Sequence, residues 1–314
     1  MCKSHGIMFH HFHDNTIHIR EQGSISAEEL DQMVDFYERD HEFISAQAYV
    51  QKTISGSLNR NEVCITFDDS LKCQFDVAYP VLKKRGLTAF WFVYTSPIIG
   101  NIEKLEIYRH FRFSKFDDID DFYADFFITA NSMDYELQCD IQHVLDHFDS
   151  DTYLKIYPFY TVNDKKYRYL RDQILGSEKF YKVMDTMLKK HAYDIRANSQ
   201  LLWMSAANIQ TLSAEGHVIG LHSHTHPTNM AALSYSEQKK EYSINQEIIN
   251  SLTGKDAISV SYPCNSYNGD TLTIMQEIGV KVGFKTNMEE TEHSPLEICR
   301  EDHSNIIRKM KGKA

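Results

Sequence analysis

The chain has 314 residues, 42% hydrophobic and 25% charged, with six prolines and no low-complexity tract, which excludes disorder and allows one barrel-sized domain or two ordinary ones. Its 33 basic and 44 acidic side chains leave a formal charge of −11, which works against binding a nucleic-acid backbone or an anionic bilayer by bulk electrostatics. No apolar run suits a signal-peptide core or a bilayer crossing, and the six cysteines (2, 64, 73, 139, 264, 299) lack C-x-x-C spacing, so a cytoplasmic protein with reduced thiols and no thiolate zinc is expected.

In chain order, a first strand over 6–12 (GIMFHHF) runs into His10-His11-Phe12-His13. Alternation points His11 and His13 to one side and His10 to the other. Ser26-Ala27-Glu28-Glu29 is a capping box that opens a helix to about Arg39. A strand over 62–67 (EVCITF) ends in Asp68-Asp69-Ser70, and a helix over 71–85 stops at Gly86. After a strand over 88–94, residues 98–200 show no comparable alternation; they read as helical, aromatic and acidic, an insertion on a barrel rather than an independent domain. A helix over 205–215 and a strand over 217–222 follow, then a helix over 234–253, a strand over 257–262 and a helix over 268–278. Strands over 281–285 and 296–300 complete a set of seven, and the basic tail from Arg308 to Lys313 reads as a solvated terminus. Strands alternating with helices predict a parallel sheet or barrel.

The chemistry gathers at two strand ends. In parallel α/β folds, sites lie at the carboxyl ends of strands, so Asp68 and Asp69 are placed for catalysis as well as for capping the next helix. His222 ends a later strand, and His226 lies four residues on in His222-Ser223-His224-Thr225-His226-Pro227. In a chain with 16 histidines such a cluster alone decides little. Combined with one carboxylate, however, His222 and His226 make a set of two nitrogens and one oxygen that leaves a coordination position open, as catalytic zinc sites do. The second carboxylate is then free to act as a general base.

Thr66-Phe67-Asp68-Asp69, Gly220-Leu221-His222-Ser223-His224-Thr225-His226-Pro227 and Ser261-Tyr262-Pro263-Cys264-Asn265-Ser266-Tyr267-Asn268 together resemble the polysaccharide deacetylases, the NodB-homology or carbohydrate esterase family 4 group. The likeness covers roughly 1–97 and 201–305. It implies an α/β fold, an irregular (β/α)7 barrel, with the whole chain as one deacetylase-like domain interrupted at about 98–200. It further implies Asp68 as catalytic base, Asp69, His222 and His226 as ligands of a divalent metal, zinc first among them, and Ser223 and Thr225 as hydroxyls that shape the loop.

The third motif lacks the family's Arg, Tyr and Gly, which leaves Asp68 without its usual arginine partner; the backbone N–H of Cys264 is expected to serve the oxyanion, with Tyr262 beside it. The family's L-x-H acid motif is missing as well, and His303 is assigned as its substitute, oriented by Arg300 or Asp302. The N-terminal histidines resemble the Y-H-R or Y-H-H opening of family members; His11 is assigned to the substrate cleft, and none of them to the metal. The activity implied is removal of an N-acetyl or other acyl group from an amino sugar, nucleotide-linked, lipid-linked or polymeric, in building a bacterial surface polysaccharide or lipopolysaccharide O-antigen. The alternatives are a catalytically degenerate carbohydrate-binding barrel and a sugar deformylase or O-acyl esterase.

Overall fold

A computed structural model describes residues 4–14, 16–133, 137–154, 160–289 and 294–312; Cys2 and Lys313 lie outside them. Two compact units result, residues 1–103 with 201–314 and residues 104–200.

The first unit alternates strand and helix. In order come β1 (His5–Phe9), α1 (Ala27–Tyr37), β2 (Glu42–Phe43), α2 (Ala46–Ser55), β3 (Glu62–Phe67), α3 (Tyr79–Arg85) and β4 (Ala89–Val93). The second unit supplies α4 (Lys104–Lys115), α5 (Ile119–Met133), α6 (Gln138–His147), α7 (Val162–Tyr169), α8 (Gly176–Lys190) and α9 (Ile195–Ser199). The chain returns to the first unit with α10 (Ala206–Ala214), β5 (Val218–Leu221), α11 (Tyr235–Thr253), β6 (Ser259–Ser261), α12 (Gly269–Glu277), β7 (Val282–Phe284), β8 (Arg300–Asp302) and α13 (His303–Met310). None of the helices described is long and apolar enough to cross a membrane. Cys64, Cys73, Cys139, Cys264 and Cys299 are free thiols.

Seven parallel strands run in the order β7-β6-β5-β4-β3-β1-β8, with β2 added beside β3. A parallel bridge between Phe284 and Ile298 brings the segment before β8 alongside β7, so the sheet curls into a nearly closed barrel. The expected seven-stranded α/β barrel is therefore present, and its wall reads in sequence as unbroken apolar runs because parallel strands are covered on both faces. Inside it, Cys64, Phe90, Phe92, Val282 and Phe284 pack on Ala46, Tyr49 and Val50 of α2. Each buried phenylalanine contributes about 1.5–3 kcal/mol. Gly220 is required here, because a Cβ on it would stand 2.6 Å from the Phe92 ring.

Local signals set the helix ends. Ser26 and Glu29 exchange both hydrogen bonds of the capping box at the start of α1, and Gly86 ends α3 with φ 67°. Several boundaries differ from the sequence reading, the first strand among them, which ends at Phe9 rather than at 12. The helix expected over 71–85 is split into a π-turn over Gln74–Ala78 and then α3, with Pro80 in the first turn of α3; proline has no N–H to give to a continuous ladder. Residues 40–61, left without an element, hold β2 and α2, the latter capped by Ser45 and stopped by Gly56. The last strand runs over Arg300–Asp302 rather than 296–300, a shift that decides the role of Arg300.

Candidate active site

The chain leaves β3 through Asp68, and Asp69 and Ser70 follow in the left-handed region at φ 74° and 50°. That reversal sends the two adjacent carboxylates to different places. Asp68 turns into the barrel, 1% exposed, and meets Arg300, which is fully buried. Arg300 Nη1 donates to Asp68 Oδ1 and Nη2 to Oδ2, each at 2.7 Å. Its other N–H groups reach Thr66 Oγ1 at 3.2 Å, Ser261 Oγ at 2.7 Å and the Lys285 carbonyl at 2.6 Å. All five donors of the guanidinium are thus used, the condition under which a buried arginine is tolerated. Gly6 leaves the room, since a Cβ there would lie 3.1 Å from Arg300 Cγ.

The expectation that Asp68 has no arginine partner, and that Arg300 orients His303, is therefore corrected. The guanidinium comes from β8 instead of the third motif, because β8 pairs with β1 and aims Arg300 across the barrel interior. Ser261, the first residue of that motif, still contributes by donating to Asp68 Oδ2 at 3.0 Å. Burial alone would raise the pKa of Asp68, but the charge of Arg300, then His222 and the Arg300 hydrogen bonds, hold it below the ordinary 3.8.

Asp69 turns the other way. Its Oδ1 lies 3.3 Å from His222 Nε2 and 3.3 Å from His226 Nε2. Two donors on a tetrahedral ion with bonds of about 2.0–2.1 Å stand roughly 3.3–3.4 Å apart, so these spacings are those of a coordination edge. The His222 ring is locked: Nδ1 donates to the Ser261 carbonyl at 2.7 Å, which leaves the Nε2 lone pair facing Asp69. His226 has φ 55° and is turned inward by a bond from its N–H to Ser223 Oγ at 3.1 Å, Ser223 itself sitting at φ 63°. Left-handed backbone costs a non-glycine residue about 1–2 kcal/mol, and such residues cluster where function demands the geometry. The donor set Asp69, His222 and His226 fits a divalent metal of the zinc type.

Electrostatics agree with that fit. Burial opposes ionisation of Asp69, yet the facing imidazoles of His222 and His226, with His10 behind them, hold its pKa well below 3.8. Burial likewise works against a charged His226, and the Asp69 carboxylate outweighs it, raising His226 above 6.5. A cation would replace the proton that this cluster holds. His224 takes no part in the cluster, because its Nδ1 pairs with Thr95 Oγ1 at 2.9 Å.

The remaining assignments divide. His303 is buried, its ring stacked on Phe9 with centroids 5.5 Å apart and its nitrogens facing the Met8 and Gly23 carbonyls at 3.3 and 2.9 Å. Tyr262 is fully buried with its hydroxyl on the Leu296 carbonyl at 2.9 Å. Both are packing residues, a correction to their assignment as acid and substrate contact. Cys264 is exposed and, with Asn265, left-handed at φ 52° and 57°, in the turn that follows Ser261. Asp302 caps α13 through Ser304 N–H at 2.8 Å.

At the N-terminus the residue beside the carboxylates is His10 rather than His11: its Nε2 lies 3.9 Å from Asp68 Oδ2, and its ring is 30% exposed. Burial lowers its pKa below 6.5 against the pull of Asp69 and Asp68, and Asp302 also acts on it. The sequence signal was the histidine cluster just past a strand end, although β1 stops at Phe9 and alternation does not extend over it. Tyr94, just past β4, forms a wall of the site, its ring 5.2 Å from that of His226 and its hydroxyl held by Trp203 Nε1.

Residues 176–283 match the polysaccharide deacetylase family. That span holds the histidine motif and the third motif, with the Asp68-Asp69 motif upstream of it. Among solved structures the fold is similar to a Streptococcus pyogenes deacetylase, PplD, in complex with acetate (16% identity, TM-score 0.56, 96% of this chain and 92% of that one). It is also similar to IcaB from Ammonifex degensii (13%, 0.58, 100% and 98%) and to a de-N-acetylase from Aggregatibacter actinomycetemcomitans (11%, 0.54, 95% and 93%). No curated protein sequence matches the chain. The resemblance read from the motifs is thus met by the family match over residues 176–283 and by the shared fold.

Proposed function

We propose that the chain hydrolyses the acyl amide of an amino sugar, N-acetyl in the first place, with Asp69, His222 and His226 holding a divalent cation, zinc by preference. The observation that carries this reading is the juxtaposition of that three-donor cluster with a neighbouring carboxylate gripped by a buried arginine. A degenerate, binding-only barrel draws its support from a missing arginine and a missing L-x-H acid motif; Arg300 answers the first, and His10 is our candidate for the second.

When bound, the cation supplies Lewis acidity that polarises the acyl oxygen and acidifies water. Asp68 accepts the proton of the attacking water. Arg300 and Ser261 take three of its roughly four lone-pair sites, so the one left on Oδ1 sets the direction of transfer. The backbone N–H of Cys264 helps hold the oxyanion. The proton taken up by Asp68 moves to His10, whose Nε2 lies 3.9 Å from Asp68 Oδ2, and His10 passes it to the nitrogen as the carbon–nitrogen bond breaks, which releases carboxylate and free amine. We read residues 104–200 as an insertion in a single deacetylase domain over 1–314.

The test is zinc content together with acetate and amine release from nucleotide-linked, lipid-linked and polymeric N-acetyl amino sugars, beside Asp68→Asn. Retained metal with lost turnover in the variant supports the reading, and full metal occupancy without acyl release from any substrate overturns it. The same panel, extended to formyl and O-acetyl sugars, tests the deformylase and esterase alternatives. A role in surface polysaccharide or O-antigen building stands or falls with the substrate that panel selects.

A further inference from the structure

The two histidines of the cluster are secured in unequal ways. His222 is fixed at both ends: its N–H donates to Asn245 Oδ1 at 3.0 Å and its Nδ1 to the Ser261 carbonyl. Asn245 is fully buried on α11 and is itself tied to the Val93 carbonyl at 2.9 Å and Thr95 Oγ1 at 3.2 Å. His226 lies beyond a turn with two left-handed residues, and its ring touches only Asp69, His222 and Tyr94 among the contacts described.

One helical turn before Asn245, on the same face of α11, Glu241 collects three bonds from the middle of that turn. Its carboxylate accepts the His224 N–H at 3.0 Å, the Thr225 N–H at 2.8 Å and the Thr225 hydroxyl at 2.9 Å. Both backbone donors lie between Ser223 and His226, so the carboxylate grips the middle of the strained turn, alongside the Ser96 N–H on the His224 carbonyl at 2.9 Å and the His224 ring on Thr95 Oγ1. We propose that Glu241 is a positioning residue of the metal site, the latch that keeps His226 turned inward as the third ligand. The proposal rests on the metal-site reading above. Without the latch the turn relaxes out of the left-handed region and carries His226 Nε2 away from Asp69, while His222 stays in place.

The experiment uses the full chain, stripped with a chelator, and measures zinc affinity by competition with a chromophoric chelator. Wild type that binds no zinc overturns the metal-site reading itself. If wild type binds, Glu241→Leu is expected to weaken zinc by about ten- to a hundredfold, the usual effect of losing a partner that orients a ligand. Glu241→Gln keeps a carbonyl for the two N–H groups and loses only the charge assistance, so its affinity stays within about threefold of wild type.

In the His226→Ala background, where two ligands remain, Glu241→Leu adds no further loss. Thr225→Val removes one exposed bond without touching the helix and gives a smaller loss in the same direction, which keeps the test valid if the leucine variant does not fold. Equal affinity in wild type, Glu241→Leu and Thr225→Val overturns the proposal. So does a Glu241→Gln loss as large as that of the leucine variant, which would make the effect one of charge alone, or an undiminished Glu241→Leu loss without His226.

Discussion

Arg300 and Asp68 lie 232 positions apart in the chain and meet in the barrel interior through two parallel N–H···O bonds of 2.7 Å. Neither partner is more than 1% exposed. Such a pair is weak evidence for stability, since desolvating both ions offsets most of their attraction. What it secures is direction. A bidentate fork fixes the carboxylate plane as a single hydrogen bond cannot, and Thr66 and Ser261 fix the fork in turn.

Replacing Arg300 separates those two roles. Arg300→Lys keeps a charge but loses the fork, and at saturating metal kcat/KM falls about 10²-fold, the scale of a misplaced catalytic group. Asp68 is held below its ordinary pKa in the wild type. Its ionised form therefore contributes stability that is present above the unfolded value and lost as pH falls through the depressed folded value. With the fork gone the pKa rises, and the acid limb of kcat/KM against pH moves upward. Arg300→Met also leaves a buried carboxylate unpaired and costs about 3–5 kcal/mol in denaturant unfolding. An acid limb and rate unchanged in Arg300→Lys would remove Arg300 from the account of Asp68.

The pair also shows where sequence reading stops. Asp68, Asp69, His222 and His226 were legible because each falls at or just past the end of an apolar run, and runs of that kind become barrel strands whose ends share one face. The helical character of 104–200 was equally visible in composition. The source of the arginine was not, because it depends on β8 starting at Arg300 and pairing with β1 through Gly6, a long-range register that no local pattern encodes. His303 misled for a related reason: its charged neighbours suggest a solvated loop, yet pairing in β8 sends it against Phe9 and the Gly23 carbonyl. His10 lies one residue past the end of β1, where strand alternation no longer decides direction, and its place was fixed by contact with Asp68.

His10→Gln tests the proton donor. An amine leaves an amide only if protonated, whereas an alkoxide or phenoxide with a low pKa leaves unaided. The variant should lose about 10²- to 10⁴-fold on an N-acetyl amino sugar. On an activated acetyl ester, followed by release of the chromophoric alcohol, the loss should stay under about tenfold, since general acid help is the only part removed. Equal losses on both substrates would assign His10 to binding rather than proton transfer.

His303→Ala distinguishes packing from catalysis. Removing a ring stacked on Phe9, with its nitrogens facing two backbone carbonyls, leaves a void and takes away the one N–H a neutral ring donates there. A destabilisation of about 2–4 kcal/mol in denaturant unfolding is expected. The metal-saturated, folded variant should keep kcat and its pH profile. A profile that loses its alkaline limb while stability is unchanged would restore His303 as the acid.

Zinc binding should release a proton, with a pH dependence set by His226. Its folded pKa is raised above 6.5 by Asp69, so in the metal-free protein the charged pair contributes stability that is full below 6.5 and lost as pH rises through the raised value. A cation needs the neutral ring and competes with that proton. Zinc affinity should therefore climb by up to about tenfold per pH unit below the raised pKa and level off above it. Calorimetry in buffers of different ionisation enthalpy should count about one proton released near pH 6 and close to none well above the raised value. Asp69→Asn removes the charge that raises His226, so the rise in affinity of the weakened site should move to lower pH. A zinc affinity flat across this range, with no proton released, would show that His226 is not a ligand in its proton-bound cluster with Asp69.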